Sequence, residues 1–319
     1  MVVLSGSSSN QDSVENAIHA GREIGAIVDQ VIAPLPSGPK QVSPWGNLAP
    51  YHVSALGGDR AIIEKLKAAD IVIDLIGMDR GGEQKEIQAA GTRVLLVREP
   101  PGTLQRFVST SEDKQRVLSA ADRLRIAKTM HVTSAAGSDL TVKLGEYPLL
   151  IQYGLADEKG RWDHWPSALV ASWPNEGSAT GTIVLDKGDV ILPFKDYVRT
   201  AIRLTIRDGY ITQIDGEFDA DFLREYMEMF DDREAFAVSH VGWGLSPLAR
   251  WTALGLFDKA QIHGMDARSF LGSFMFSTGP NDDAGGSRDT YCHIDMPMRR
   301  CTIALDGEVV VDAGRLVSH

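Results

Sequence analysis

Short apolar runs alternate with amphipathic stretches through the first third of the chain. "VVLSG" and "AIVDQVIA" flank "SVENAIHAGREIG", whose apolar positions recur at helical spacing. "RAIIEKLKAA" and "GEQKEIQAAG" repeat that helical pattern, and "DIVIDLIG" and "TRVLLVRE" read as strands. Strands and helices taking turns in this way predict a mostly parallel sheet covered by helices.

After the helical stretch "EDKQRVLSAADRLRIAKTM" the period changes from helical to two. "HVTSAAGSDLTVKLG", "GTIVLDKGDVILPF", "AIRLTIRDGYITQIDGEF" and "CTIALDGEVVVDAG" all alternate like half-buried strands. Two of these stretches break at Asp208-Gly209 and Asp306-Gly307, the dipeptide that favours a tight hairpin. "ADFLREYMEMFDD" is the clear helix of this part. The expectation is an α/β domain over residues 1–130, followed over residues 131–319 by a β-rich α+β domain.

Composition leaves this picture in place: 319 residues, 43% hydrophobic and 24% charged, suffice for a core without staples. A net charge of −11 and the lack of a basic block argue against nucleic acid as a partner. No apolar run reaches the roughly 18 residues of a membrane span, and the N-terminus does not resemble an export signal. The loop "SGSSSNQDS" lacks the glycine spacing of a nucleotide cradle. Cys292 and Cys301 alone make no disulfide framework, so a reduced, cytoplasmic setting is expected.

Candidate chemistry centres on "TYCHIDMPM". In an extended chain His293 and Asp295 point to the same side, which places two metal-ligand types on one face. The plain alternative is a strand whose polar face meets solvent. "AVSHVGWGLSP" offers His240 beside Gly242 and Gly244, which permit close backbone approach or unusual dihedrals. Two imidazoles and one carboxylate form the set that leaves adjacent positions open on iron(II). In "GRWDHWPSALVASWPNE", His164 stands between Trp162 and Trp165, which fits either core packing or an aromatic-walled pocket with a titratable imidazole. His19, His52, His131, His263 and His319 read as structural or terminal.

"GRWDHWPS", "SHVGWGL", "FSTGPN" and "CHIDMPMRRC" together resemble the 2,5-dihydroxypyridine 5,6-dioxygenase family, and the similarity runs through almost the whole chain. The resemblance implies that His240, His293 and Asp295 bind one Fe(II), with His164 near the substrate as acid/base. It implies ring cleavage of a hydroxylated N-heterocycle by dioxygen, giving N-formylmaleamate from 2,5-dihydroxypyridine. The expected partners are a small heteroaromatic substrate, dioxygen and further copies of the chain in a homo-oligomer.

The same fold resembles that of leucyl aminopeptidase T metallopeptidases. There, Leu169 stands where a metal-binding glutamate belongs, and Met275 aligns with a further histidine ligand. Near "LIGMDRGGEQ" the dioxygenase pattern has a substrate-facing histidine, whereas this chain has Arg80 after Asp79. Arg80 is then either a pocket residue that clamps an anionic substituent or a plain loop arginine. The chain also begins close to its first strand, so a leading helix of the family is expected to be missing. The rival readings are an aminopeptidase-like hydrolase and a noncatalytic metabolite-binding protein.

Overall fold

The structure is a computed structural model that describes residues 1–7, 9–34, 55–78 and 82–317. Contacts divide the chain into two compact units, each assembled from separated stretches. The first comprises Met1–Thr110, Gln152–Ser167 and Phe257–His263; the second comprises Ser111–Ile151, Ala168–Leu256 and Gly264–His319.

Among the described residues, the first unit is built on a five-stranded sheet in the order Asp29–Ile32, Val2–Ser5, Ile71–Asp74, Arg93–Val97, Trp162–Trp165. Every neighbouring pair is parallel, as the alternation of strands and helices predicts. Val2, Leu4, Val72 and Val94 bury on one face against Ile63, Leu66 and Ile87. Val3 turns to the other face and packs with Val14, Val97 and Leu104. A strand buried on both faces needs apolar residues in succession, which is why "VVL" does not alternate.

Side-chain caps set where these helices begin. Asn10 accepts from the backbone of Ser13 ahead of helix Gln11–Glu23, and Asp59 accepts from Ala61 and Ile62 ahead of helix Arg60–Lys67. Replacing such a cap by alanine typically costs about 1 kcal/mol. At the end of strand Ile71–Asp74, the buried Asp74 carboxylate accepts three backbone N–H groups, from Ile76, Gly77 and Met78, and so fixes the outgoing loop.

Among the described residues, the second unit holds two large, mainly antiparallel sheets and a two-stranded ribbon, Val190–Ile191 with Asp196–Tyr197. The larger runs Tyr210–Gly216, Ile202–Arg207, Thr180–Leu185, Asp139–Lys143, Thr129–Ser134, Cys301–Leu305, Glu308–Asp312, Arg315–Leu316. Two of its hairpins turn at Asp208-Gly209 and Asp306-Gly307, and all four residues have positive φ, between 48° and 88°. This is the mirror-image turn that Asp-Gly favours. The smaller sheet runs Ile294–Met298, Phe274–Thr278, Val238–Gly244, Leu169–Ser172, Leu149–Gln152. Helix Ser111–Ile126, which the sequence pattern places before a change near residue 130, packs on strand Leu169–Ser172 of this sheet.

Among the described residues, no helix is long and apolar enough to cross a membrane. Both cysteines are free thiols buried in the second unit, and burial pushes the Cys292 thiol up to about 12.

Candidate metal centre

The smaller sheet of the second unit carries the three candidate ligands. Strand Ile294–Met298 is buried on both faces, so the polar residues at its start do not meet solvent. Asp295 is the second residue of that strand and pairs in register with Ser277 of strand Phe274–Thr278. His293 immediately precedes the strand and falls on the same side as Asp295, as period-two alternation requires. His240 lies on the other neighbour of strand Phe274–Thr278, in Val238–Gly244.

His240 reaches the site through an irregularity in the sheet. Val238 pairs with Thr278 and Val241 with Phe276, so two residues, Ser239 and His240, stand opposite Ser277 alone. A bulge of this kind redirects a side chain and disrupts the local ladder. The Ser277 hydroxyl makes good the loss: it accepts the His240 N–H at 2.7 Å and donates to the His240 carbonyl at 2.8 Å.

Gly242 and Gly244 act through close approach, with neither at positive φ. A Cβ on Gly242 would lie 2.0 Å from the Val170 carbonyl oxygen, and one on Gly244 would lie 2.3 Å from that of Phe270.

The three side chains converge. Asp295 Oδ1 is 3.1 Å from His293 Nε2 and 3.3 Å from His240 Nε2, and the imidazole rings stack with centroids 5.3 Å apart. The Trp173 ring lies 5.6 Å from that of His240, tilted by 58°. All three residues are buried, and their donor atoms lie within 4.8 Å of one another. Asp295 Oδ2 accepts a hydrogen bond from Nε of the buried Arg268 at 2.7 Å. Burial alone would push the Asp295 carboxyl up, but Arg268 and the two imidazoles outweigh it and hold this group well below the usual carboxylate range.

This set suits a cation. Asp295 Oδ1 is buried and, among the described residues, receives no donor in hydrogen-bonding geometry despite two nearby imidazole nitrogens. An ion with donors at about 2.1 Å and right angles between them separates neighbouring donors by about 3 Å, close to both carboxylate–imidazole distances. Two nitrogens and one oxygen from a face-sharing set match the 2-His-1-carboxylate arrangement of non-haem iron. Leu169 and Met275, by contrast, are buried apolar residues of the same sheet and supply no further ligand.

The remaining predicted residues fall elsewhere. His164 belongs to the first unit, on the edge strand Trp162–Trp165 of the parallel sheet, and is buried. Trp162 packs into one apolar cluster and Trp165 into the other, so these rings serve the core as well as flanking the imidazole. Asp163, turned to the opposite face, accepts from Arg161 at 2.6 Å and from the backbones of Tyr153, Gly154 and His164. His263, read from sequence as structural, sits with its ring 5.0 Å from that of His164, and its N–H donates to Glu99. Arg80, Asp79, His52 and His319 lie outside the described residues. Arg268 escaped sequence reasoning because nothing around "MDARSF" marks it; it lies 27 residues from the carboxylate it meets.

Comparison with known proteins adds four likenesses. The chain matches the 2,5-dihydroxypyridine 5,6-dioxygenase family over residues 1–318. The 2,5-dihydroxypyridine 5,6-dioxygenase of Pseudomonas putida is 47% identical over 319 residues, spanning 100% of this chain and 91% of the relative. The solved structure of that dioxygenase from strain KT2440 superposes with a TM-score of 0.94 at 48% identity, covering 100% of this chain and 91% of the other. Wild-type AmpT from Thermus thermophilus superposes with a TM-score of 0.59 at 12% identity over 99% and 94% of the two chains, a likeness of fold alone.

Proposed function

The chain belongs to the 2,5-dihydroxypyridine 5,6-dioxygenase family, and from that premise we propose that it opens the ring of 2,5-dihydroxypyridine with dioxygen, using one Fe(II) held by His240, His293 and Asp295. The observation that carries the metal assignment is the convergence of these three buried side chains around the Asp295 oxygen that, among the described residues, no donor satisfies.

Bound there, iron(II) would lower the cost of deprotonating a ring hydroxyl and bring ring and dioxygen to one centre. The protein's own contribution begins with charge: two neutral imidazoles and one carboxylate leave a divalent ion with net positive charge to receive an anionic ring oxygen. Arg268 holds the carboxylate in place. Burial of the ligands excludes water, which strengthens each of these interactions. We assign His164 the acid/base role, accepting the hydroxyl proton at a ring nitrogen and returning it to oxygen as the ring opens. That role rests on the family resemblance and on the burial of this imidazole within strand Trp162–Trp165. Both oxygen atoms enter the open-chain product, N-formylmaleamate for this substrate.

Arg80 is proposed to receive an anionic group on the substrate, because it replaces a histidine of the family pattern. The cytoplasm is proposed as the site of action, supported by two unpaired buried thiols. Assembly into a homo-oligomer is supported by Phe218, Phe222 and Met229, large apolar residues left exposed along one helix and its end.

Anaerobic titration with iron followed by oxygen-uptake measurements on 2,5-dihydroxypyridine tests the reading. One iron per chain and one dioxygen consumed per ring opened are expected. Ring binding without oxygen uptake would turn the assignment to a metabolite binder. Hydrolysis of leucyl peptides with two metals per chain would turn it to the peptidase.

A further inference from the structure

Arg268 is a buried cation at a site whose proposed work is to bind another cation, and that pairing calls for a reason. The residue ends the short helix Met265–Arg268, which starts after Gly264 in the left-handed region at φ 91°. Its Nε donates to Asp295 Oδ2 at 2.7 Å, while Oδ1 of the same carboxylate faces the two imidazole nitrogens. A guanidinium that only neutralised a carboxylate would grip both oxygens with its fork. Here Oδ1 is left to the histidines.

We propose that Arg268 is a positioning residue of the metal centre: by taking Oδ2 it leaves Asp295 a single oxygen, Oδ1, to give to a bound cation. The proposal rests on the metal reading above. Its physical content is a restriction of the carboxylate. Asp295 freed of Arg268 can rotate, so that Oδ1 is no longer held beside the two imidazole nitrogens and must be ordered when the ion binds. Held by Arg268, it occupies one position and leaves its neighbours to exogenous ligands. Loss of a hydrogen-bond partner that orients a ligand in this way typically costs about 10- to 100-fold in metal affinity or activity.

Cobalt(II) loaded into the metal-free protein under anaerobic conditions reports this without turnover, through its visible absorption and its release to a competing chelator. Arg268→Met should bind cobalt about 10- to 100-fold more weakly, with an altered visible spectrum. Arg268→Lys, which keeps a cationic donor, should recover most of the affinity and the parent spectrum. Parent-like affinity and spectrum in Arg268→Met would overturn the proposal. Should that variant fail to fold, Arg268→Gln decides: weaker cobalt binding by a variant whose circular dichroism at the assay temperature matches that of the folded parent supports the role, and parent-like binding overturns it. A parent protein that takes up no cobalt is a separate result, which removes the metal reading itself and Arg268's role with it.

Discussion

The hydroxyl of Ser277 satisfies both backbone polar groups of His240, accepting the N–H at 2.7 Å and donating to the carbonyl at 2.8 Å. The bulge that turns this histidine into the site leaves its backbone without regular strand partners, and one side chain on the neighbouring strand replaces them. Ser277→Ala should therefore lower stability by roughly 1–3 kcal/mol, the cost of leaving buried backbone groups unpaired. Urea unfolding should show a lower midpoint at constant slope, and Ser277→Thr, which keeps the hydroxyl, should lose less. An alanine variant as stable as the parent would mean that the bulge is held by its packing alone.

Removal of single ligands separates binding from folding. His240→Ala, His293→Ala and Asp295→Ala should each abolish tight binding of one metal and, with it, oxygen uptake. Asp295→Ala should also destabilise the fold by roughly 3–5 kcal/mol, because it strips a buried arginine of its carboxylate. The histidine variants carry no such penalty. Metal analysis of the purified variants and their unfolding curves check both statements, and full metal occupancy in any one variant removes that residue from the ligand set.

Asp189 links stability to pH. It is buried, accepts from the backbone N–H groups of Arg299 and Asp186, and burial pushes its carboxyl up to about 6 from 3.8. The folded state then holds the Asp189 proton more tightly than the unfolded chain does. Its stabilising contribution is complete below about pH 4 and is lost as pH rises through about 6, a change of roughly 3 kcal/mol for two pH units. Asp189→Asn should flatten the pH dependence of unfolding between these values. An unchanged slope would show that Asp189 titrates normally.

Arg80 gives a prediction from sequence alone. A charge-assisted hydrogen bond contributes about 1.5–3 kcal/mol, so Arg80→Gln should slow turnover of a carboxylated hydroxypyridine by roughly ten-fold or more and affect a neutral analogue less. Arg80→His should shift preference toward plain 2,5-dihydroxypyridine. Oxygen uptake with matched neutral and anionic rings measures this, and an unchanged ranking in both variants returns Arg80 to the status of a loop residue.

Features governed by neighbouring residues were legible in the chain. Alternation alone placed His293 and Asp295 on one side of a strand, and Asp-Gly at two positions called for turns with positive φ, because both depend on backbone geometry over two to four residues. The alternating strands and helices of the first part called for a parallel sheet, because an amphipathic helix between apolar runs has few other ways to bury its stripe.

Pairing partners were settled only in three dimensions. "WDHW" gives no sign that it adds a parallel strand beside Arg93–Val97, since that pairing joins backbones more than 60 residues apart through groups every residue carries. The bulge at His240 depends on which strand lies opposite, and the Ser277 hydroxyl that stabilises it could not be matched to that backbone by spacing. Arg268 was invisible for the same reason: a charge shows its sign in the sequence, but the carboxylate it meets is chosen by the packing of a short helix against a sheet. The candidate ligands His293 and Asp295 and their shared face thus follow from local periodicity, whereas the convergence of His240 on His293 and Asp295, and the hold of Arg268 on Asp295, follow from strand order and burial.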